Sequence, residues 1–117
     1  FGGFWAYQEK ELAEKIKAYI KLHFSEKITG KTLEDNFNMN FDYMNRVFKK
    51  VNNMTIFEYL KRVRINRATQ LLTLTDKKCY EVAFETGFEN EFYFNKVFKN
   101  YIGVSPNKYR REKVAKI

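Results

Sequence analysis

Apolar residues recur along this chain at helical intervals, with polar residues filling the gaps. From Glu9 to Phe24, the residues Leu12, Ile16, Tyr19, Ile20 and Phe24 return every three or four positions among Lys and Glu, which predicts an amphipathic helix. Gly30 interrupts, and "TGKTLEDNFNMN" predicts a short helix capped at either Thr29 or Thr32, with Leu33 and Phe37 facing inward. Asn40 opens the next helix and Asn53 can end it in the left-handed conformation. Thr55 and Glu58 form a capping box ahead of a stretch without Gly or Pro as far as about Leu74. That stretch carries Phe57, Leu60, Val63, Ala68, Leu71 and Leu72 on more than one face, as a helix joining two subdomains would. After "TDKK" come a short helix from Cys79 to Thr86 stopped by Gly87, a helix from Asn90 to about Tyr101 ended by Gly103, and a basic helix opened by Ser105 and Pro106. The reading is all-α, with seven helices and no strand.

One phrase occurs twice. "NFDYMNRVFKK" runs from Asn40 to Lys50 and "NEFYFNKVFKN" from Asn90 to Asn100, so that Asn40 pairs with Asn90, Tyr43 with Tyr93, Asn45 with Asn95, Arg46 with Lys96, Val47 with Val97 and Phe48 with Phe98. The same register, an offset of 50 residues, joins Thr55 to Ser105 and Tyr59 to Tyr109. Each copy is a short helix, a tight connection and a longer helix, the helix-turn-helix plan. Helical spacing assigns Met44, Val47, Phe48 and Val51 to the inner face of the first copy and Phe94, Val97, Phe98 and Tyr101 to that of the second. The opposite faces carry Asp42, Asn45, Arg46 and Lys49, then Phe92, Asn95, Lys96 and Lys99. A single such face is ordinarily just solvated. Two copies with Asn followed by a basic residue at matching places suit a major groove, where Asn can pair with adenine and Arg with guanine. Asn40, Lys49, Lys50, Asn90 and Lys99 are expected at phosphates.

The joining helix gives a coarse check on that reading: roughly 19 residues at about 1.5 Å each span about 28 Å, against about 34 Å between successive major-groove faces. The expected organisation is 1–8 a linker remnant or hydrophobic docking strip ("FGGFWAYQ"), 9–54 a first helix-turn-helix subdomain, 55–74 the connecting helix, 75–114 the second subdomain and 115–117 a tail.

Composition narrows the partner. In 117 residues, 44% hydrophobic and 18% aromatic content can bury a core, and a formal net charge of +8 favours a polyanion, with nucleic acid, an anionic membrane or an acidic protein all open on charge alone. No apolar run reaches the roughly 18 residues of a membrane span. A lone Cys79 and a lone His23 allow neither an internal disulfide nor a tetrahedral site from those ligands, and a reducing cytoplasm is the expected location. The carboxylate pairs Glu34 with Asp35 and Glu89 with Glu91 lack a nucleophile, a phosphate loop or a metal ligand set beside them, so they are read as solvated helix ends and no enzyme, metal or cofactor is expected. His23 is expected to pack beside Phe24, and Cys79 to fill a small inward position. A protein-interaction module and a non-specific nucleic-acid clamp are the alternatives. Single-strand RNA readers usually present aromatics on a sheet, which is missing from this pattern.

"IKAYIKLHF", "FDYMNRVFKK", "TIFEYLKRVRINRATQLL" and "EVAFETGFENEFYFNKVFKNYIGVSPNKYR" together resemble the DNA-binding domain of the AraC-type (AraC/XylS) transcription regulators, from about Glu9 to Arg111. The resemblance implies a homeodomain-like fold with two helix-turn-helix units on a long central helix, sequence-specific binding to double-stranded promoter DNA in bacteria, and an attached sensing, receiver or dimerisation domain. An activator of this type would also meet RNA polymerase. The family's base-facing positions fall on Asp42, Asn45 and Arg46, and on Phe92, Tyr93, Asn95 and Lys96. Asp42 is an acid near phosphates, able to accept from a cytosine amino group or simply to favour the helix start. Phe92 has no donor and would touch a thymine methyl or else pack on its own subdomain. Glu34 replaces a residue that is more often small, so looser packing of the first unit is expected.

Overall fold

The computed structural model describes residues 2–114, which form seven helices and no strand among them: α1 Gly2–His23, α2 Gly30–Phe37, α3 Phe41–Asn52, α4 Ile56–Leu74, α5 Cys79–Glu85, α6 Glu91–Ile102 and α7 Pro106–Val114. They divide into two compact units, with the boundary inside α4 between Leu60 and Lys61, so α4 contributes to both. Helix α1 begins at Gly2, earlier than the expected Glu9, and residues 2–8 are its first two turns. The expected tail at 115–117 lies outside the described residues.

In the first unit, α1 and α2 both pack on α3. Leu12, Ala13, Ile16 and Ile20 of α1, Leu33 of α2, Met44, Val47 and Phe48 of α3, and Ile56, Tyr59 and Leu60 at the start of α4 are buried. Thr29 is the cap of α2, and it exchanges bonds with Thr32 in a capping box, so both candidate threonines act in one motif. Asn38 and Asn53 end α2 and α3 at φ 54° and 59°, the left-handed conformation that asparagine tolerates. His23 does not simply pack beside Phe24: its Nδ1 lies 2.6 Å from Glu26 and its ring 4.5 Å from that of Tyr19.

The second unit repeats the plan. Ile65, Ala68, Leu71 and Leu72 of α4 enclose a core with Val82, Ala83, Phe88, Phe94, Val97 and Phe98, against which Cys79, Ile102 and Tyr109 pack partly buried. Burial pushes the Cys79 thiol pKa up, and its Sγ bonds Asn107 Oδ1 at 3.0 Å, so the cysteine fills space as expected while also tying α5 to α7. Gly87, at φ 97°, lets the chain leave α5. The repeat is preserved down to ring geometry, since Phe48 meets Tyr59 edge-on at 5.6 Å and Phe98 meets Tyr109 edge-on at 5.6 Å.

The expected inner faces need one correction. Met44, Val47 and Phe48, and Phe94, Val97 and Phe98, are buried, but Val51 is 37% and Tyr101 42% exposed. Periodicity fixes the side of a helix on which a residue lies, whereas burial also needs a neighbour opposite, and at the last turn it is Asn52 and Ile102 that are half-buried instead.

Arg110 has no precedent in the first copy, where the matching residue is the buried Leu60. Its guanidinium donates to the carbonyls of Leu72 (2.9 Å), Thr75 (3.4 Å) and Lys77 (2.5 Å), supplying partners for the end of α4 and the connection after it. Charged hydrogen bonds of this kind outweigh a neutral cap, so Arg110→Ala is expected to destabilise the second unit by about 2–3 kcal/mol, against about 1 kcal/mol for Asn40→Ala in the first. Urea unfolding followed by amide exchange, which resolves the two units, measures the difference; Arg110→Lys should recover little, because an ammonium lacks the fork.

Candidate nucleic-acid interface

Helices α3 and α6 each bury one face and leave the other to solvent. Asn40 and Asn90 start them in the same way, each side-chain oxygen accepting from the backbone N–H three residues on, at Tyr43 (3.2 Å) and Tyr93 (3.0 Å). These caps keep an amide NH2 for other partners, so the phosphate role expected of both asparagines falls on that group. Asp42 is exposed in the first turn of α3, where the helix dipole favours an acid. Arg46 is exposed one turn later, its guanidinium 5.5 Å from the Tyr43 ring centroid, a contact that orients the fork without using its donors. Lys49 follows on the same side, exposed. Lys50 is held by an ion pair at 3.0 Å to Glu9 of α1.

On α6, Lys96 and Lys99 are exposed. Phe92 stands 85% exposed, so packing on its own unit does not account for it. Tyr93 is half exposed, its ring 6.1 Å from that of Phe88. Phe88 in turn lies 5.7 Å beneath the Arg64 guanidinium, whose pKa is lowered by burial against the opposing pull of Glu89 and Tyr93; an arginine remains charged at neutral pH even so. Arg64 was not legible from the sequence, where it is one of several basic residues on α4.

Asn45 and Asn95 are both half-buried, and the structure separates them. Asn45 Oδ1 accepts the Ile56 N–H at 2.9 Å, at the first turn of α4. The residue matching Ile56 in the second copy is Pro106, which has no N–H. Glu34 also departs from expectation. It is no solvated helix end: it is half-buried, and its Oε2 accepts the Phe41 N–H at 2.8 Å, fastening α2 to the start of α3 where looser packing was expected. Asp35, by contrast, pairs on the surface with Lys31 at 3.3 Å. Beside these elements Trp5, Glu9, Leu12, Phe37, Met39 and Tyr43 line an open hollow of about 460 Å³ between α1 and the turn before α3. Among the described residues no group of His, Cys, Asp and Glu could hold a metal, and no helix is long and apolar enough to cross a membrane.

Residues 33–112 match a family model described as a helix-turn-helix domain. The chain belongs to the AraC-type helix-turn-helix family. Over 103 residues this AraC-type domain is 30% identical to the Msm operon regulatory protein of Streptococcus mutans, covering 88% of this chain and 37% of that protein. The C-terminal domain of AraT, a response regulator from Geobacillus stearothermophilus, superposes with a TM-score of 0.83 at 30% identity, covering 86% of this chain and 84% of that one. The DNA-binding domain of AdpA, a global transcriptional factor, was solved with a target DNA; it superposes with a TM-score of 0.83 at 25% identity, covering 89% of this chain and 94% of that one. The AraC-type chain spans between about a fifth and a half of the length of the curated relatives it matches.

The bond from Glu34 yields a local prediction. Glu34→Ala should cost the first unit about 2 kcal/mol and speed exchange of the Phe41 amide, leaving the second unit unaltered. Amide exchange of the two variants Glu34→Ala and Glu34→Gln, the second retaining an acceptor, tests it.

Proposed function

We propose that this domain binds double-stranded promoter DNA sequence-specifically as the DNA-binding part of a bacterial transcription regulator, with α3 and α6 in adjacent major grooves. The observation that carries the proposal is the repeated exposed face: Arg46 and Lys96 occupy matching positions on the outer sides of two recognition-type helices whose inner sides bury Met44, Val47 and Phe48, and Phe94, Val97 and Phe98, in separate cores. The likeness to a domain solved with its target DNA supports the same reading. Base contacts are assigned to Asp42 and Arg46 and to Phe92, Tyr93, Asn95 and Lys96, while the base contact expected of Asn45 competes with its bond to the Ile56 N–H. Phosphate contacts are assigned to Asn40, Lys49, Lys50, Asn90 and Lys99. Arg46 suits the O6 and N7 acceptors of guanine, Phe92 a thymine methyl and Asp42 a cytosine amino group. Lys50 would exchange Glu9 for a phosphate, a small cost because the pair is exposed on the lysine side.

A partner domain for sensing, phosphoacceptance or dimerisation, contact with RNA polymerase and a cytoplasmic location all belong to the proposed whole regulator. They rest on the longer relatives, one of which is the response regulator AraT. The domain itself is read as a binder with no catalytic role.

Selection from a randomised duplex pool at near-physiological salt should return two short blocks about 10 base pairs apart. Arg46→Ala should blur one block and Lys96→Ala the other, each weakening the best duplex by about 1–3 kcal/mol. A pool that stays random, with both variants changing only the salt dependence of binding, would make the domain a backbone clamp instead.

A further inference from the structure

We propose that the two asparagines at matching places of the repeat divide their labour: Asn95 reads a base, as the paired donor and acceptor that adenine requires, whereas Asn45 is a positioning residue that fixes α3 to the start of α4. The inference rests on the DNA-binding reading above and refines the site that reading assigns.

The argument begins with the helix that follows each recognition helix. The first N–H groups of any helix lack partners within it. At α4, Thr55 Oγ1 takes the Glu58 N–H at 3.2 Å, Glu58 reaches back to the Thr55 N–H at 3.5 Å, and Asn45 Oδ1 takes the Ile56 N–H at 2.9 Å. At α7, Ser105 Oγ takes the Lys108 N–H at 3.2 Å, but the residue in the place of Ile56 is Pro106. Proline at the first helical position removes the orphan donor altogether. Nothing at that position calls on Asn95.

The chemical consequence follows from what a carboxamide can do. Adenine offers N6–H2 as donor and N7 as acceptor, so a bidentate asparagine needs both its oxygen and its NH2. Asn45 has one half committed. To free its oxygen it would leave the Ile56 N–H without a partner beside a fully buried side chain, which opposes the exchange. Asn95 has no equivalent bond to break. Half-burial at both places fits a side chain held in one rotamer, locked by an acceptor bond at Asn45 and available at Asn95.

A second observation runs in the same direction. Glu34 ties the start of α3 to α2 through the Phe41 N–H, and its counterpart in the repeat is Phe84, an exposed phenyl that can accept no such bond. Helix α3 is therefore fastened to both flanking helices by side-chain bonds in its N-terminal half, at Phe41 and Asn45, and α6 shows neither fastening. In the first unit base discrimination is left to exposed groups such as Arg46.

The test compares Asn45→Ala, Asn45→Asp, Asn95→Ala and Asn95→Asp in the 117-residue chain, reading duplex selection, thermal melting and exchange of the Ile56 amide. Asn45→Ala should lower the melting temperature, expose the Ile56 amide and weaken all duplexes in proportion, leaving the order of preferred sequences unchanged. Asn45→Asp keeps an acceptor and should restore melting and Ile56 protection. Asn95→Ala and Asn95→Asp should melt normally yet lose the preference for adenine at one position of the second block by about tenfold or more. The proposal is overturned if Asn45→Ala or Asn45→Asp erases a single base preference with Ile56 still protected, or if both Asn95 variants select the same sequences as the parent. A parent chain that enriches no sequence defeats the underlying DNA reading, and that result is seen before any variant is compared.

Discussion

The edge-on contact between a phenylalanine of the recognition helix and a tyrosine of the helix after it, Phe48 with Tyr59 and Phe98 with Tyr109, is the point around which each unit closes. A helix of 12 residues is marginal on its own in water, and its formation here depends on burying one stripe. The aromatic pair fixes that stripe against the following helix and so decides which face remains outside. Met44 with Val47, and Phe94 with Val97, then extend the buried side. Once that choice is made, Arg46 and Lys96 have nowhere to go but solvent. Function in such a domain is thus a by-product of core packing: the outward groups are placed by the inward ones.

Around this shared centre the copies have diverged in how they finish their helix ends. The first unit uses side chains that cross between helices, Glu34 to Phe41 and Asn45 to Ile56. The second uses a proline at Pro106, a glycine at Gly87 and the Arg110 fork over the end of α4. Both solutions answer the same demand, that backbone groups shielded from water find partners. They differ in what they leave over, since a side chain spent on a backbone group is withdrawn from the outer surface.

The helices and their caps were legible because Asn, Thr, Ser, Pro and Gly act locally, within a few residues of the position they specify. Thr29, Asn40, Asn53, Thr55, Asn90 and Gly103 all stand where local chemistry put them. The repeat gave the inner faces for the same reason, except at Val51 and Tyr101, whose exposure at the last turn is a tertiary fact. The contacts of Glu34, Asn45, Arg64 and Arg110 were not legible because their partners lie outside their own helix, and an outward-looking position in a helical wheel says nothing about a group arriving from elsewhere. The start of α1 was missed because "FGG" discourages a helix by propensity alone.

The single tryptophan of the chain, Trp5, is 62% exposed on those early turns of α1 and borders the hollow that Tyr43 closes from α3. Tyr43 in turn carries the Arg46 guanidinium on its ring. The domain therefore contains its own optical gauge: indole emission is sensitive to the polarity of that hollow, and Tyr43, which lines the same hollow, carries Arg46 on the outer face of α3.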